Sequence, residues 1–599
     1  MSSHDFFAYE QVIGRFHGFQ RCGMEFHANV IFFYRIEFEC LPLYGQFLLI
    51  QIGTSSEALL GRIISLHPVK PPAIGDVEDT HFLSLKRQQK FSRVSWQNGP
   101  TYRGNILLLG ILKRSQDERL LFVPSHRRQP HCDSLIALPT GEILQEIAGH
   151  NINGAAIGHF ALGEFIYAAG CTTIPFEEWM EVLSPEVLIR FPISNLIARR
   201  SLVFARAGFG KSNFNKLLFS ELYKQNPMVT KRFNKKVPVG TLIFDPDGEY
   251  FWPDDKGRPG LCDVPELQEK LVVFTEREGP SPFYSSFVAN GIRLDVRRIA
   301  PSVVLSIALS SHKQGQQNVQ KLKALDSRQW RELVDLIDEK GNKASLKEIS
   351  FLLNLEKRQE SEALAARSNM TMIVQALHDK ESHLVEMLMM ALSEGKLCVI
   401  DISLLHSSTS LILSGLLLQL LFDHNQAEYT KVQSASIPTI AVIEEAQSVL
   451  TEKSPAANSH RDWVKEGRKY DLGSFLITQQ PGSIPNEILS QSDNWFALHL
   501  LSTTDLRTLQ RANAYFSQDI LRMLLNEPIP GHCAFWTSVG GKPYPISTRI
   551  LSFERKYRIR DPNYDAAVQK TFAQRLQSQF LDRTLQKRET PVSDALIRG

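Results

Sequence analysis

One stretch constrains this chain more than any other: Ala205-Arg206-Ala207-Gly208-Phe209-Gly210-Lys211-Ser212. It follows the apolar run SLVFA (201–205) and opens NFNKLLFSELY, which reads as a helix. Strand, glycine-rich loop and helix in that order is the setting a phosphate-binding loop requires. Backbone N–H groups of such a loop converge on a phosphate, and the helix N-terminus adds partial positive charge. The nucleotide-binding positions are then Gly208, Phe209, Gly210, Lys211, Ser212 and Asn213. Lys211 reaches the β- and γ-phosphates of ATP, and Ser212 places its hydroxyl on Mg²⁺. The first glycine of the usual pattern is Ala205 here, whereas the more demanding Gly208, Gly210, Lys211 and Ser212 are intact.

A strand that feeds such a loop belongs to a parallel sheet, and the surrounding sequence agrees. From Pro185 to about Glu554, apolar runs alternate with helical patterns: SLVFA, TLIFD (241–245), LVVFT (271–275), LCVID (397–401), TIAVIE (439–444), SFLITQ (474–479) and WFALHL (495–500). The runs are continuous rather than alternating, as in strands covered on both faces by crossover helices. The fold class read here is α/β, a parallel-sheet domain that carries the phosphate loop at 185–555, with a charged helical insertion at about 285–395. Residues 1–180 read differently. GQFLLIQIG, GRIISLHPV, NILLLGILKR and IFFYRIEFEC are short, rich in Ile, Leu and Phe, and separated by turn formers, which predicts a small N-terminal β-barrel or sandwich. Residues 556–599 are polar and helix-prone, a C-terminal helical arm that lies either on the surface or against a neighbouring subunit.

Phosphate chemistry needs acids at a neighbouring strand end, where ligands sit in open α/β sheets. Thr439–Ile443 is apolar and is followed by Glu444 and Glu445. Glu444 is assigned to Mg²⁺, through water, and Glu445 to polarising the attacking water. Gln479, ending SFLITQ, is placed to sense the γ-phosphate or orient that water. Asp245-Pro246-Asp247-Gly248-Glu249-Tyr250 reads as a turn that uses Asp and Gly for their backbone tolerance. Thr230–Lys236 (TKRFNKK) is the densest basic run, but it joins the first helix to the second strand and reads as a solvated turn. His126, His131 and Cys132 share a loop without a fourth ligand or zinc-like spacing.

Composition excludes several classes. Lys plus Arg is 67 against 64 for Asp plus Glu, so the net charge of +3 gives no global field for nucleic acid, and binding must come from local patches or from a patch repeated in an oligomer. The seven cysteines are scattered and odd in number, which fits reduced thiols in the cytoplasm rather than a disulfide framework. The longest apolar stretch, near Leu411 to Phe422, is too short for a bilayer, and no membrane association is expected.

Taken together, RR-x4-ARAGFGKS, FDPDGEY, VIEEAQ, EGRKYDLGSFLITQQP and a terminal GHCAFWTSVGGKPYPISTRI resemble the HerA family of hexameric DNA-translocating ATPases, within the HerA–FtsK group of RecA-like motors. The resemblance covers nearly the whole chain. It departs from the family at Ala205, at Arg206, at Gln447 where His is usual, and at Arg200 where His usually follows the Arg. It implies a homo-oligomeric, hexameric ring around double-stranded DNA, driven by ATP and Mg²⁺. It implies a separately encoded nuclease or other effector docked on the N-terminal barrel, in antiphage defence or DNA-end processing. It further implies that Arg199 lies near the nucleotide and that Arg468 is the candidate finger donated between subunits. Two other readings stay open: a nucleotide-bound ring scaffold that activates its partner, and a conjugation- or secretion-type DNA pump.

Overall fold

The computed structural model describes residues 6–561 and 571–589, apart from 9–10, 23–24, 33–41, 70–100, 116–118, 175, 232–233, 357 and 452. It contains two compact units. One comprises Pro192–Phe496, Leu500–Asn513 and Ser552–Gly599; the other comprises Met1–Phe191, Ala497–His499 and Ala514–Leu551.

The first of these is built on a parallel sheet. Its strands are β1 (Arg200–Phe204), β2 (Gly240–Asp245), β3 (Leu271–Phe274), β4 (Val288–Asn290), β5 (Leu397–Asp401), β6 (Thr439–Ile443) and β7 (Leu472–Thr478). They lie in the order β1-β7-β6-β2-β5-β3-β4, and each neighbouring pair is parallel. Every residue of β2, β3, β5, β6 and β7 is buried, which is why these segments lack alternation. The parallel arrangement puts all carboxyl ends on one edge, so the segments that leave β1, β6 and β7 share a neighbourhood. Between β4 and β5 the chain is helical from Pro301 to Ser393, in six α-helices. β4 itself falls inside the stretch read as purely helical; three residues long, it gives no periodic signal. A helix also occupies Phe572–Glu589 near the C-terminus.

The second unit holds the N-terminal barrel. Strands Glu25–Phe32, Val12–Cys22, Leu135–Ala137, Phe47–Ile52, Thr54–Val69 and Thr101–Arg114 pair in that order, and the last returns to the first, closing six strands. Closure leaves no open edge among those six and encloses Ile13, Phe16, Val30, Phe32, Leu48, Ile50, Ile63 and Ile106. The strand expected at IFFYRIEFEC lies mostly outside the described residues. Ala155–Leu162 pairs antiparallel with Leu188–Phe191 and with Ile546–Ile550, so residues 514–551, read from sequence as part of the ATPase domain, belong to the barrel-bearing unit. Arg62 on the barrel is buried and donates to Asp519, Ser517 and the Pro545 carbonyl, a fully partnered interior charge.

In the parallel-sheet unit, helix Ser407–Tyr429 packs on helix Pro455–Glu466 through a buried histidine. His460 Nδ1 donates to the Ala456 carbonyl (3.0 Å), and Nε2 lies 3.0 Å from Ser414 Oγ. Burial pushes its pKa from 6.5 down to about 4. The unfolded chain therefore takes up the proton first as pH falls, so folding stability drops between about pH 6.5 and 4, by ~3 kcal/mol in all. In urea denaturation at pH 7 and pH 4.5, His460→Gln is expected to lose less stability on acidification than the parent; equal losses would assign the acid sensitivity elsewhere.

Candidate functional site

The phosphate loop leaves the sheet where β1 ends. Phe204 is in register with Thr478 of β7, and the Ala205 N–H donates to the Thr478 carbonyl (3.2 Å). Gly208 (φ 85°) and Gly210 (φ 98°) occupy the left-handed region, which glycine enters without steric cost. Apart from its two chain neighbours, no other described residue comes within 4 Å of where a Gly208 Cβ would sit, so that side of the loop is open. Gly210 caps helix Lys211–Leu222, and the first N–H groups of that helix have no carbonyl of an earlier helical turn to donate to, the setting in which a helix N-terminus meets an anion. This cradle fits a polyphosphate. The side-chain oxygen of Asn213 accepts from the Phe553 N–H at 2.7 Å.

Glu445 follows β6 with φ 46°, a left-handed conformation that costs an L-residue about 1–2 kcal/mol. The reversal sends Glu444 and Glu445 to different partners. Glu445 Oε1 accepts from Lys211 Nζ at 3.3 Å and from Gln479 Nε2 at 2.7 Å; Oε2 accepts from Gln447 Nε2 at 2.5 Å. Burial alone would raise this carboxyl, but the Gln479 and Gln447 amides and the Lys211 charge hold it below the ordinary glutamate value, in its ionised form. Lys211, Glu445 and Gln479 thus meet at one point.

Glu444 turns to the Tyr250 hydroxyl, which in turn accepts from Asn215 Nδ2 (2.8 Å) on the loop's helix. Burial pushes the Glu444 carboxyl up, against the opposing pull of Tyr250 and Lys211. The carboxylate that meets Ser212 is Glu249, at 3.1 Å from Oγ. Mg²⁺ in such sites draws most of its ligands from phosphates and water, so Ser212 with one or two nearby acids fits it. Among the described residues no group of three or more His, Cys, Asp and Glu forms a self-contained cage.

The segment read as a plain turn does more than turn. Asp245 Oδ1 accepts from the N–H groups of Asp247, Gly248 and Glu249, and Oδ2 from that of Tyr250. The loop wraps around this buried carboxyl, which burial pushes up to about 7, and thereby delivers Glu249 to Ser212 and Tyr250 to Glu444. A usable sequence signal was present: three acids after a strand of the same sheet as the phosphate loop.

The arginines sit at the other end of β1. Arg199 Nη1 pairs with Asp493 (2.9 Å), and Arg200 donates to the Val464 and Lys465 carbonyls and to Gln491. Arg468, in the turn Gly467–Tyr470 before β7, is exposed and has no hydrogen bond or ion pair with the described residues. With Arg199 and Arg200 it lines a cavity of about 430 Å³. The span from Arg200 to Phe204 is roughly 13 Å, so these groups lie across the sheet from their own phosphate loop. Lys231 of the basic run is paired with Asp471 at that same edge; Arg232 and Phe233 lie outside the described residues.

Residues 181–421 match the family model for the central domain of helicase HerA. The chain is 23% identical over 397 residues to a DNA double-strand break repair helicase HerA of Sulfurisphaera tokodaii, covering 64% of this chain and 70% of that one. It is 19% identical over 541 residues to a probable helicase of Methanocaldococcus jannaschii, covering 89% and 90%. Among solved structures, the bacterial conjugative coupling protein TrwBdeltaN70 aligns with 68% of this chain and 98% of its own, at 14% identity and a TM-score of 0.38. No helix among the described residues is long and apolar enough to cross a membrane.

Tyr250→Phe removes the one hydroxyl shared by Asn215 and Glu444. It is expected to lower stability by about 1–3 kcal/mol in chemical denaturation. Tyr429→Phe, at a side chain 62% exposed, is expected to be neutral. Equal effects would show that the Tyr250 hydroxyl does not brace the site.

Proposed function

We propose that this chain, a P-loop ATPase of the HerA family, couples ATP hydrolysis to movement along double-stranded DNA as a subunit of a homo-oligomeric, hexameric ring. The observation that carries the reading is the meeting of Lys211, Glu445 and Gln479 beside an open glycine cradle. The N–H groups from Gly208 to Asn213, with Lys211, bind and orient the phosphates. Mg²⁺, when bound, neutralises charge on the phosphate oxygens; Ser212 would hold it directly and Glu444 through water. Phosphate binding draws Lys211 away from Glu445. The carboxylate, already ionised, then orients the attacking water and takes its proton, while Gln479 fixes the water or the γ-phosphate.

Arg468 and Arg199 serve the nucleotide of a neighbouring subunit in this reading. The Asp493 pairing of Arg199 and the freedom of Arg468 favour Arg468 as the finger. The barrel-bearing unit docks a separately encoded nuclease or other effector, and the motor is the parallel-sheet unit, which runs through 192–496 with its insertion at 285–395 and takes in 500–513 and the arm at 556–599. The setting is cytoplasmic, in antiphage defence or DNA-end processing. The repair-helicase names of the HerA relatives support the DNA substrate.

Steady-state ATP hydrolysis with and without duplex DNA tests this. DNA-stimulated turnover is expected in the parent, loss of nucleotide binding in Lys211→Ala, and a fall in kcat of at least about 100-fold in Glu445→Gln with nucleotide still bound. Function lost in Lys211→Ala but kept in Glu445→Gln would instead make the ring a nucleotide-held scaffold.

Subunit mixing tests the arginine. Arg468→Ala protein added to parent protein is expected to depress turnover more than in proportion, because each altered subunit silences a neighbour's site. A proportional fall would put Arg468 at its own site or outside catalysis.

A further inference from the structure

Glu445 has three donors, and two of them are also the groups a nucleotide would claim. Lys211 goes to the phosphates, and Gln479 goes to the γ-phosphate or the water. The third, Gln447, is different, because both of its partners are protein. Its Nε2 donates to Glu445 Oε2 at 2.5 Å, and its Oε1 accepts from Thr478 Oγ1 at 2.6 Å. This pairing fixes the amide one way round, since the flipped amide would set its carbonyl oxygen against a carboxylate. Thr478 is itself anchored. It ends β7, its hydroxyl accepts from the Gln480 N–H (3.0 Å), and its carbonyl accepts from Ala205 at the root of the phosphate loop.

We infer that Gln447 is the positioning residue that keeps the Glu445 carboxylate aimed after Lys211 and Gln479 have turned to the nucleotide; this rests on the proposed role of Glu445. Holding is needed because Glu445 sits on a strained left-handed backbone, and its side chain would otherwise gain rotamers when the other two donors leave. The amide itself does not titrate, so its donor to Glu445 is present at every pH at which the carboxylate is ionised. Its base, Thr478, ties the aim of the carboxylate to the strand end from which the phosphate loop springs.

The test is ATP hydrolysis against pH by the full-length protein, with nucleotide affinity measured separately by a fluorescent ATP analogue. Gln447→Ala is expected to lower kcat about 100-fold, the scale of a misplaced reacting group, while KM and analogue affinity stay within about two-fold. Gln447→His supplies a donor of similar reach but with a proton to gain. It is expected to recover most of kcat at pH 8 and to lose it on acidification below about pH 6.5–7, where the parent does not, because the imidazolium bound to Glu445 weakens it as a base. Unchanged kcat in Gln447→Ala overturns the inference. So does a kcat loss that comes with an equal loss of analogue affinity and a lower melting temperature, which is the mark of a merely structural side chain. Glu445→Gln run alongside separates the two claims: if it keeps full turnover, the role of Glu445 falls and this inference with it; if it is dead while Gln447→Ala is active, only Gln447 is removed.

Discussion

Three adjacent strand ends converge on one carboxylate, and the site depends on that convergence. In the order β1-β7-β6, the chain past β1 supplies Lys211, past β7 Gln479, and past β6 Glu445. Neighbouring strands lie about 4.8 Å apart, so β1 and β6 are roughly 10 Å apart with β7 between them. Only a long side chain from each side closes that gap. Lysine and glutamate meet at 3.3 Å, and the shorter reach of Gln479 suffices because β7 lies beneath. An antiparallel neighbour would have carried one of the three groups to the opposite edge.

The groups that phosphate and metal would engage are not idle. Lys211 is on Glu445, Ser212 is on Glu249, and Glu444 is on Tyr250. Each contact keeps a polar group satisfied, and each must be exchanged for a ligand contact when nucleotide enters. That exchange joins the two acidic segments. Asp245 gathers four N–H groups into one tight loop, so the contact of Glu249 with Ser212 and that of Tyr250 with Glu444 share one support. Burial prevails at Glu444 and raises its carboxyl, whereas at Glu445 two amides and Lys211 outweigh burial and hold the ionised form, although the two are consecutive. The left-handed turn at Glu445 is what separates their surroundings.

Much of this was legible because buried parallel strands announce themselves. SLVFA, TLIFD, LVVFT, LCVID, TIAVIE and SFLITQ all correspond to strands, with ends shifted by at most two residues. What failed to register was short, nonlocal or ambiguous. Val288–Asn290 is too brief to show a period. The pairing of Ile546–Ile550 with Ala155–Leu162 joins residues nearly four hundred positions apart, and no local pattern encodes that. FDPDGEY satisfied the rules for a turn so fully that its partners went unseen, since a turn's outward contacts depend on what the fold sets opposite. At Asn213, read as a nucleotide ligand from its place at the helix N-terminus, the side-chain oxygen accepts from Phe553, over three hundred residues on, a partner that no local pattern encodes.

The arginines give the sheet a direction. β1 begins at Arg200, beside Arg199 and the turn that carries Arg468, and ends at the phosphate loop. Groups at opposite ends of one strand cannot serve one nucleotide, so an arginine acting on phosphate from that edge must act on another copy's. Such an association is head-to-tail, one surface meeting a different one, and head-to-tail contacts build rings when the rotation closes. The proposed ring and the proposed finger are therefore one hypothesis about sheet polarity. Arg200 fits it in a subordinate way: by capping the Val464 and Lys465 carbonyls at the end of helix Pro455–Glu466, it fixes the turn from which Arg468 projects. A histidine there would offer fewer donors for those two carbonyls and Gln491, so the arginine at this position suits a chain in which that turn must present a charge to a neighbour.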